Sequence, residues 1–295
     1  MSSFLAVLAA FFLALQGSLM AGVYRKFDRL SIVCFRGLSL GLSMFPLLYF
    51  VPQTAFTLAK PSFPQLVGAA LITACANTCS AESYKRLAVG FASALGFSSA
   101  AVFGVLIDIF YFKNSIRIDQ LLLIAGIVVT LLVLSRSGKE TVLVREGRMG
   151  VGISFSLIFG AFIAVAFAIV GELSIASHPF LVGYCWEFMI GLCAGGLAMF
   201  RRVVFRGEGV AKIQRETFLK ILLFARPTAV GTGLYLTALT SGPLSIVMAV
   251  LSIAMIFSML FGWILYQERF SFRQIQLMCL ITAFVGMLHL RSSVP

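Results

Sequence analysis

Four ionisable residues, Arg36, Asp108, Glu187 and Arg226, interrupt long apolar runs of this 295-residue chain. A charged group inside a bilayer costs about 2.5–3.5 kcal/mol on insertion scales, so such a residue marks a functional site unless a structural partner explains it. Glu187 lies deepest in its run and is the leading charge for a binding site. It can hold a cationic group or exchange a proton; alternatively it pairs with Arg36 or Arg226 and fixes helix packing. Arg226 precedes Pro227. It either snorkels to the interface or faces a cavity where Pro227 frees a backbone carbonyl. Asp108 is near the end of its run, where an interfacial or structural carboxylate is favoured over a proton site.

Neutral polar residues mark the same interior. Gln16, Asn77, Thr78, Ser98, Thr232, Tyr235 and Ser252 lie in mid-run, and with Glu187 and Arg226 they form the expected substrate-binding set. For each Ser or Thr the competing reading is a bond to the carbonyl four residues back. Asn77 is costlier to hide, which favours a cavity. Tyr24, Tyr84, Tyr184 and Trp186 are nearer the ends of their runs, where interfacial anchoring explains them as well as substrate stacking does. His178 is expected in a loop and His289 lies near the C-terminus, and neither has a catalytic pattern around it. No P-loop, nucleophile elbow or metal-ligand cluster occurs, so neither enzyme chemistry nor direct ATP drive is expected, and no cofactor or metal. All six cysteines fall in apolar runs. Cys75 and Cys79 share a helix face, but no His or further Cys completes a metal site.

The elements that position these residues follow from hydropathy. The chain is 60% hydrophobic, with mean hydropathy +1.02. A membrane-spanning helix needs roughly 20 apolar residues. Spans are predicted near 4–23, 31–52, 65–84, 88–112, 119–136, 150–173, 179–200, 218–240, 243–266 and 273–291. Helices satisfy their own backbone in lipid, and the alternation of a membrane barrel strand is absent from Phe4 to Phe12. The first span lacks a basic leader and a small-residue cleavage site, so a permanent helix is expected rather than a signal peptide.

The net charge of +12 suggests nucleic acid until its distribution is read. Loops after spans 1, 3, 5, 7 and 9 hold 17 lysines and arginines, from Arg25 to Arg273; those after spans 2, 4, 6 and 8 hold Lys60, Lys113 and Arg117. This is the bias that sets membrane topology. It makes the odd-numbered loops cytoplasmic and both termini external, with Arg291 against it, and excludes a nucleic-acid partner. Short loops and no targeting segment suit a bacterial inner membrane.

A gapless slide of 154 residues aligns the spans one to one. It pairs Ala10 with Ala164, Ala14 with Ala168, Gly17 with Gly171, Gly37 with Gly191, Gly41 with Gly195, Thr78 with Thr232, Ser98 with Ser252, Phe103 with Phe257 and Gln120 with Gln274, and sets Leu13 on Phe167. Five crossings end on the opposite side, so a duplicated five-helix unit inverts, and inverted repeats place a site at the midplane. The predicted fold is an all-α membrane protein of ten transmembrane helices, arranged as two inverted five-helix repeats in 1–140 and 150–295. Gly37-x-x-x-Gly41 and Gly191-x-x-x-Gly195 are expected to let helices pack closely, with a sliding contact as the sharper alternative.

Span 9 and its exit, Gly242-Pro243-Leu244-Ser245-Ile246-Val247 and then Leu265-Tyr266-Gln267-Glu268-Arg269-Phe270-Ser271, precede a last helix carrying Gly286. With the repeat, this pattern resembles the drug/metabolite transporter superfamily, specifically its ten-helix EamA-type members. The sequence departs from the family pattern at Met255, where a proline is common, and at Gln267, where Gly precedes the exit glutamate; the first-half counterparts are Ala101 and, for the glutamate itself, Asn114. The resemblance implies a structural ion pair at Arg36. It also implies a secondary transporter of a small organic metabolite, an amino acid or related compound, working by alternating access with optional proton coupling. The implied cavity is lined by spans 1, 3, 4, 6, 8 and 9, with Glu187 added from span 7. The rival readings are a passive channel or lipid conduit and a membrane-embedded enzyme.

Overall fold

A computed structural model describes residues 2–113, 118–137, 149–207, 209–240 and 244–292. Twelve α-helices occur among them: α1 (Ser2–Tyr24), α2 (Arg29–Met44), α3 (Gln53–Ala59), α4 (Phe63–Arg86), α5 (Val89–Phe110), α6 (Ile118–Ser137), α7 (Met149–Ala176), α8 (Pro179–Phe205), α9 (Arg215–Leu239), α10 (Leu244–Leu251), α11 (Ala254–Tyr266) and α12 (Phe272–Ser292). They occupy all ten predicted spans, and no strand is found among the described residues. Six stretches, Phe4–Tyr24, Arg29–Phe50, Val89–Phe110, Met149–Ala176, Pro179–Phe205 and Arg215–Leu239, are long and apolar enough to cross a membrane on length and composition alone. The expected boundary between the repeats, with Lys139, Arg145 and Arg148, lies outside the described residues, as do Asn114, Arg117, Gly242 and Pro243. The side chains of Gln120, Arg136, Ser245, Ile246, His289 and Arg291 are likewise outside the description.

Two spans differ from expectation. Span 2 is α2 followed by a 3₁₀ segment, Phe45–Phe50, with Pro46 at its start. The chain then turns into the short helix α3, which buries only Ala55. Tyr49 is 90% exposed and Phe50 70%, the placement of an aromatic belt at the membrane surface. Span 9 is discontinuous: it breaks at Ser252 and Ile253 between α10 and α11. Met255 and Ile256 donate their N–H groups to the carbonyls of Ser252 and Ile253, three residues back, at 3.0 and 2.9 Å. Such tight turns interrupt an α-helix locally.

The packing repeats itself between the halves. Adding 154 maps α1, α2, α4, α5 and α6 onto α7, α8, α9, α10/α11 and α12. Accordingly α4 packs on α7 as α1 packs on α9, α5 on α7 as α1 on α10 and α11, and α4 on α8 as α2 on α9. The helices mapped onto each other, α2 with α8 and α6 with α12, also pack together. This exchange is that of a pseudo-two-fold axis. With five crossings per half the two repeats are inverted.

The α2–α8 crossing lies on that axis. A Cβ added to Gly37 would stand 2.3 Å from the Gly191 nitrogen, and one on Gly191 would stand 2.6 Å from the Leu38 nitrogen. Gly41 faces Phe188 and Gly195 faces Cys34, and Cys34 and Phe188 are themselves 154 apart. Gly37 and Gly191 thus form one close backbone contact, and Gly41 and Gly195 leave room for the side chains of Phe188 and Cys34.

Loops on the odd-numbered face are bound by ions and caps. Asp28 caps α2 by accepting from the Ser31 N–H at 3.0 Å and pairs with Arg201 at 2.8 Å. Arg29 and Arg86 both pair with Glu82. Glu268 accepts the Val89 N–H at the start of α5, at 2.9 Å, and pairs with Arg25 at 3.2 Å. Ser271 and Gln274 form a reciprocal capping box at α12.

Candidate functional site

The charged and polar residues converge where the two halves meet. A cavity of about 80 Å³ is lined by Leu13, Gln16, Gly17 and Tyr24 of α1, Arg36 of α2, Thr73, Asn77, Ser80 and Tyr84 of α4, and Phe97 of α5. The second half contributes Phe159, Ile163 and Phe167 of α7, Trp186 and Glu187 of α8, and Thr232 and Tyr235 of α9. Leu13 and Phe167, set on each other by the 154-residue slide, both contribute.

Glu187 is buried at its centre. Thr232 Oγ1 donates to Glu187 Oε1 at 2.9 Å, and Arg36 Nη1 stands 3.6 Å from Glu187 Oε2. That separation is longer than a charge-assisted hydrogen bond, about 2.7–2.9 Å. Among the described residues, Arg36 Nη1, Glu187 Oε2 and the Tyr235 hydroxyl have no hydrogen-bond partner, although all are buried. An unmade bond at a buried polar atom costs about 1–3 kcal/mol, more for a charged group. Unsatisfied donors and acceptors of both signs therefore converge on one small volume.

Aromatic rings form the wall. Phe167 and Tyr235 stack with centroids 4.5 Å apart, and Trp186 meets Phe167 edge-on at 5.9 Å. The Trp186 indole N–H donates to Thr73 Oγ1 at 3.2 Å. Tyr24 and Tyr84 stack at 6.3 Å. Such walls suit an apolar or aromatic group, and the ion pair suits a charged one.

Of the residues expected from sequence, Gln16, Asn77, Glu187, Thr232 and Tyr235 line this cavity. The other four do not. Thr78 is half-buried and donates to the Ala74 carbonyl four residues back, at 2.8 Å. Ser98 is buried on α5, with Oγ 4.0 Å from Met255 Sδ. Ser252 is buried at the break between α10 and α11. Arg226 is exposed on α9, rotated away from the cavity. Among the described residues none of span 9 lines the cavity, and span 2 enters it through Arg36. Tyr24, Tyr84 and Trp186 are buried cavity residues and not interfacial anchors; Tyr184 is half-buried outside the lining. Asp108 is buried near the end of α5, and His178 caps α8. All six cysteines are free thiols.

The exit motif has structural work. Gln267 holds φ at 53°, and Lys113, 154 residues earlier, holds 55°. Gln267 is the left-handed C-cap of α11, whereas Lys113 lies three residues past the end of α5; both hold backbone that favours glycine, which explains the glycine common before the exit glutamate in the resembling family. Glu268 next to it ties α1 to the start of α5.

A solved crystal structure aligns over 99% of this chain and 96% of its own, with TM-score 0.67 and 12% sequence identity; at that identity the likeness concerns the fold. No curated protein sequence matches it. The profile of the EamA-like transporter family matches twice, over residues 1–136 and 151–290. These two matches cover the two packed halves, and the chain is an integral membrane protein belonging to the EamA-like transporter family of the drug/metabolite transporter superfamily.

Proposed function

We propose that this protein is a secondary transporter that moves a small zwitterionic metabolite, an amino acid or a related compound, by alternating access between units 1–140 and 150–295. The observation that carries the reading is the loose, buried Arg36–Glu187 pair facing the cavity. A substrate ammonium would take the free Glu187 Oε2, and a substrate carboxylate would take Arg36 Nη1. Gln16 and Tyr235 are positioned on the same cavity for further hydrogen bonds, and the Phe167, Trp186 and Tyr235 rings would receive an apolar side chain. Glu187 can also exchange a proton, which would couple the cycle to a proton gradient.

The cavity volume of about 80 Å³ is well below the roughly 300–1,000 Å³ of pockets that enclose small-molecule ligands. Loading a metabolite therefore requires the halves to separate, and rocking about the α2–α8 glycine crossing would do so. Counterflow in proteoliposomes tests the proposal. Preloaded unlabelled amino acid should drive transient uptake of labelled substrate above its equilibrium level. Flux that neither saturates nor shows counterflow would instead identify a passive conduit.

A further inference from the structure

A second and far larger pocket, about 650 Å³, opens at the odd-loop ends of α1, α9 and α11. Its wall is apolar: Leu19 and Val23 of α1, Phe224 of α9 and Leu265 of α11. Its rim is basic: Arg25, Lys26, Lys85 and Lys220. The Thr217 hydroxyl joins the rim. Arg25 is held in place, paired with Glu268 at 3.2 Å and lying over the Tyr266 ring at 4.7 Å. Lys26 and Lys220 are exposed, and no described carboxylate forms an ion pair with either. Three other arginines on this face, Arg29, Arg86 and Arg201, already have carboxylate partners.

This pocket is separate from the substrate cavity. The two have no lining residue in common. Both use α1, through different faces. Leu13, Gln16, Gly17 and Tyr24 face the cavity, and Leu19, Gly22 and Val23 face the pocket. At 3.6 residues per turn these sets point roughly 130° apart. The duplication has not copied it either. The positions 154 away from Arg25, Lys26, Lys85 and Lys220 are Pro179, Phe180, Leu239 and Leu66, none of them charged.

We infer that this pocket is a binding site for one anionic phospholipid of the leaflet on the odd-loop side. Lys26 and Lys220 contact the headgroup phosphate and an acyl chain lies along Leu19, Val23, Phe224 and Leu265. Basic pockets between membrane helices on the cytoplasmic side take anionic headgroups by this chemistry. The apolar wall below the cations distinguishes an amphiphile from a free anion, which would gain nothing from Leu19 or Leu265.

The test uses the full-length protein in detergent, with Tm measured after adding phosphatidylglycerol, phosphatidylcholine or inorganic phosphate. A ligand that binds only the folded state raises apparent stability. Phosphatidylglycerol should raise Tm above phosphatidylcholine, and phosphate alone should not. The double variant Lys26→Gln/Lys220→Gln should lose that increment and keep the wild-type Tm in phosphatidylcholine. The control Lys212→Gln/Arg269→Gln removes the same charge from exposed positions on the same face and should retain it. Equal Tm in the two lipids, an unchanged increment in the pocket variant, or an equal loss in the control overturns the site. An equal rise with inorganic phosphate overturns the phospholipid assignment. Should the double variant fail to fold, Lys220→Gln alone carries the same comparison.

Discussion

Gly37 lies backbone to backbone on Gly191, its own counterpart in the other half. The contact sits where α2 and α8 cross on the pseudo-two-fold axis, one residue from Arg36 and one helical turn from Glu187. The helix pair that holds the halves together therefore also holds the charged pair of the candidate site.

Gly37→Ala should be costly, because its methyl group would meet backbone that has no rotamer to yield. Overpacking of this kind costs about 1–3 kcal/mol, and here it also spreads α2 from α8. Gly196→Ala, in the same helix α8, places its methyl group in open space and should leave Tm equal or slightly raised. Thermal unfolding of the two variants in one detergent separates the outcomes. Equal Tm values would mean that the crossing tolerates a wider approach.

Gln267→Gly should stabilise the protein by about 1 kcal/mol, the order of the cost of left-handed backbone for a residue with a Cβ. The Gln267 side chain is exposed, so little contact is lost with it. Gln267→Val should move Tm in the opposite direction. A fall in Tm for the glycine variant would contradict the backbone account.

Asp28 gives a pH dependence outside the membrane. Burial acts to raise its pKa, but hydrogen bonds from Arg201 and Ser31 outweigh burial and hold the carboxyl below its ordinary value. A depressed native pKa contributes stability that is fully present above the ordinary aspartate value, about 3.9. That contribution is lost as pH falls through the native value. Asp28→Ala should cost about 1 kcal/mol through the lost cap alone. The Tm gap between wild type and variant should be constant above about pH 4 and narrow below it. A gap that widens on acidification would reverse the sign.

The basic loops predict the orientation. A tag placed after the last helix should be accessible from outside the cytoplasm in intact cells, since lysines and arginines crowd the odd-numbered loops. Labelling only after lysis would invert the assignment, and would also move the basic pocket to the other leaflet.

Much of this architecture was legible as hydropathy and as a slide of 154 residues. Both depend on composition along the chain, which a membrane constrains strongly. Gln16 and Asn77 were legible because a polar group in lipid has few places to go. Rotation about a helix axis was not. Arg226 shares a helix with Thr232 and Tyr235 but points outward, and hydropathy does not resolve faces in a helix apolar all round. Tyr24, Tyr84 and Trp186 are of types that serve an interface and a cavity equally well. The break in span 9 leaves no Pro or Gly at Ser252 and Ile253 to announce it. A faint signal lay in α4: its run of Thr73, Asn77, Thr78 and Ser80 is unusually polar for a span, and three of those four line the cavity.

The decisive variants are at Arg36 and Glu187, where a substrate role and a packing role give different patterns. Removing one member of a buried ion pair costs about 3–5 kcal/mol, whereas replacing both is often close to neutral. Arg36→Gln and Glu187→Gln should therefore each lower Tm, and the double variant should regain most of the loss. Counterflow should be lost in all three, because the regained stability brings back neither the ammonium acceptor nor the carboxylate donor. In Glu187→Gln any proton dependence of transport should vanish with it. A double variant that recovers stability and transport together would make the pair a packing element and leave recognition to Gln16, Asn77, Thr232 and Tyr235.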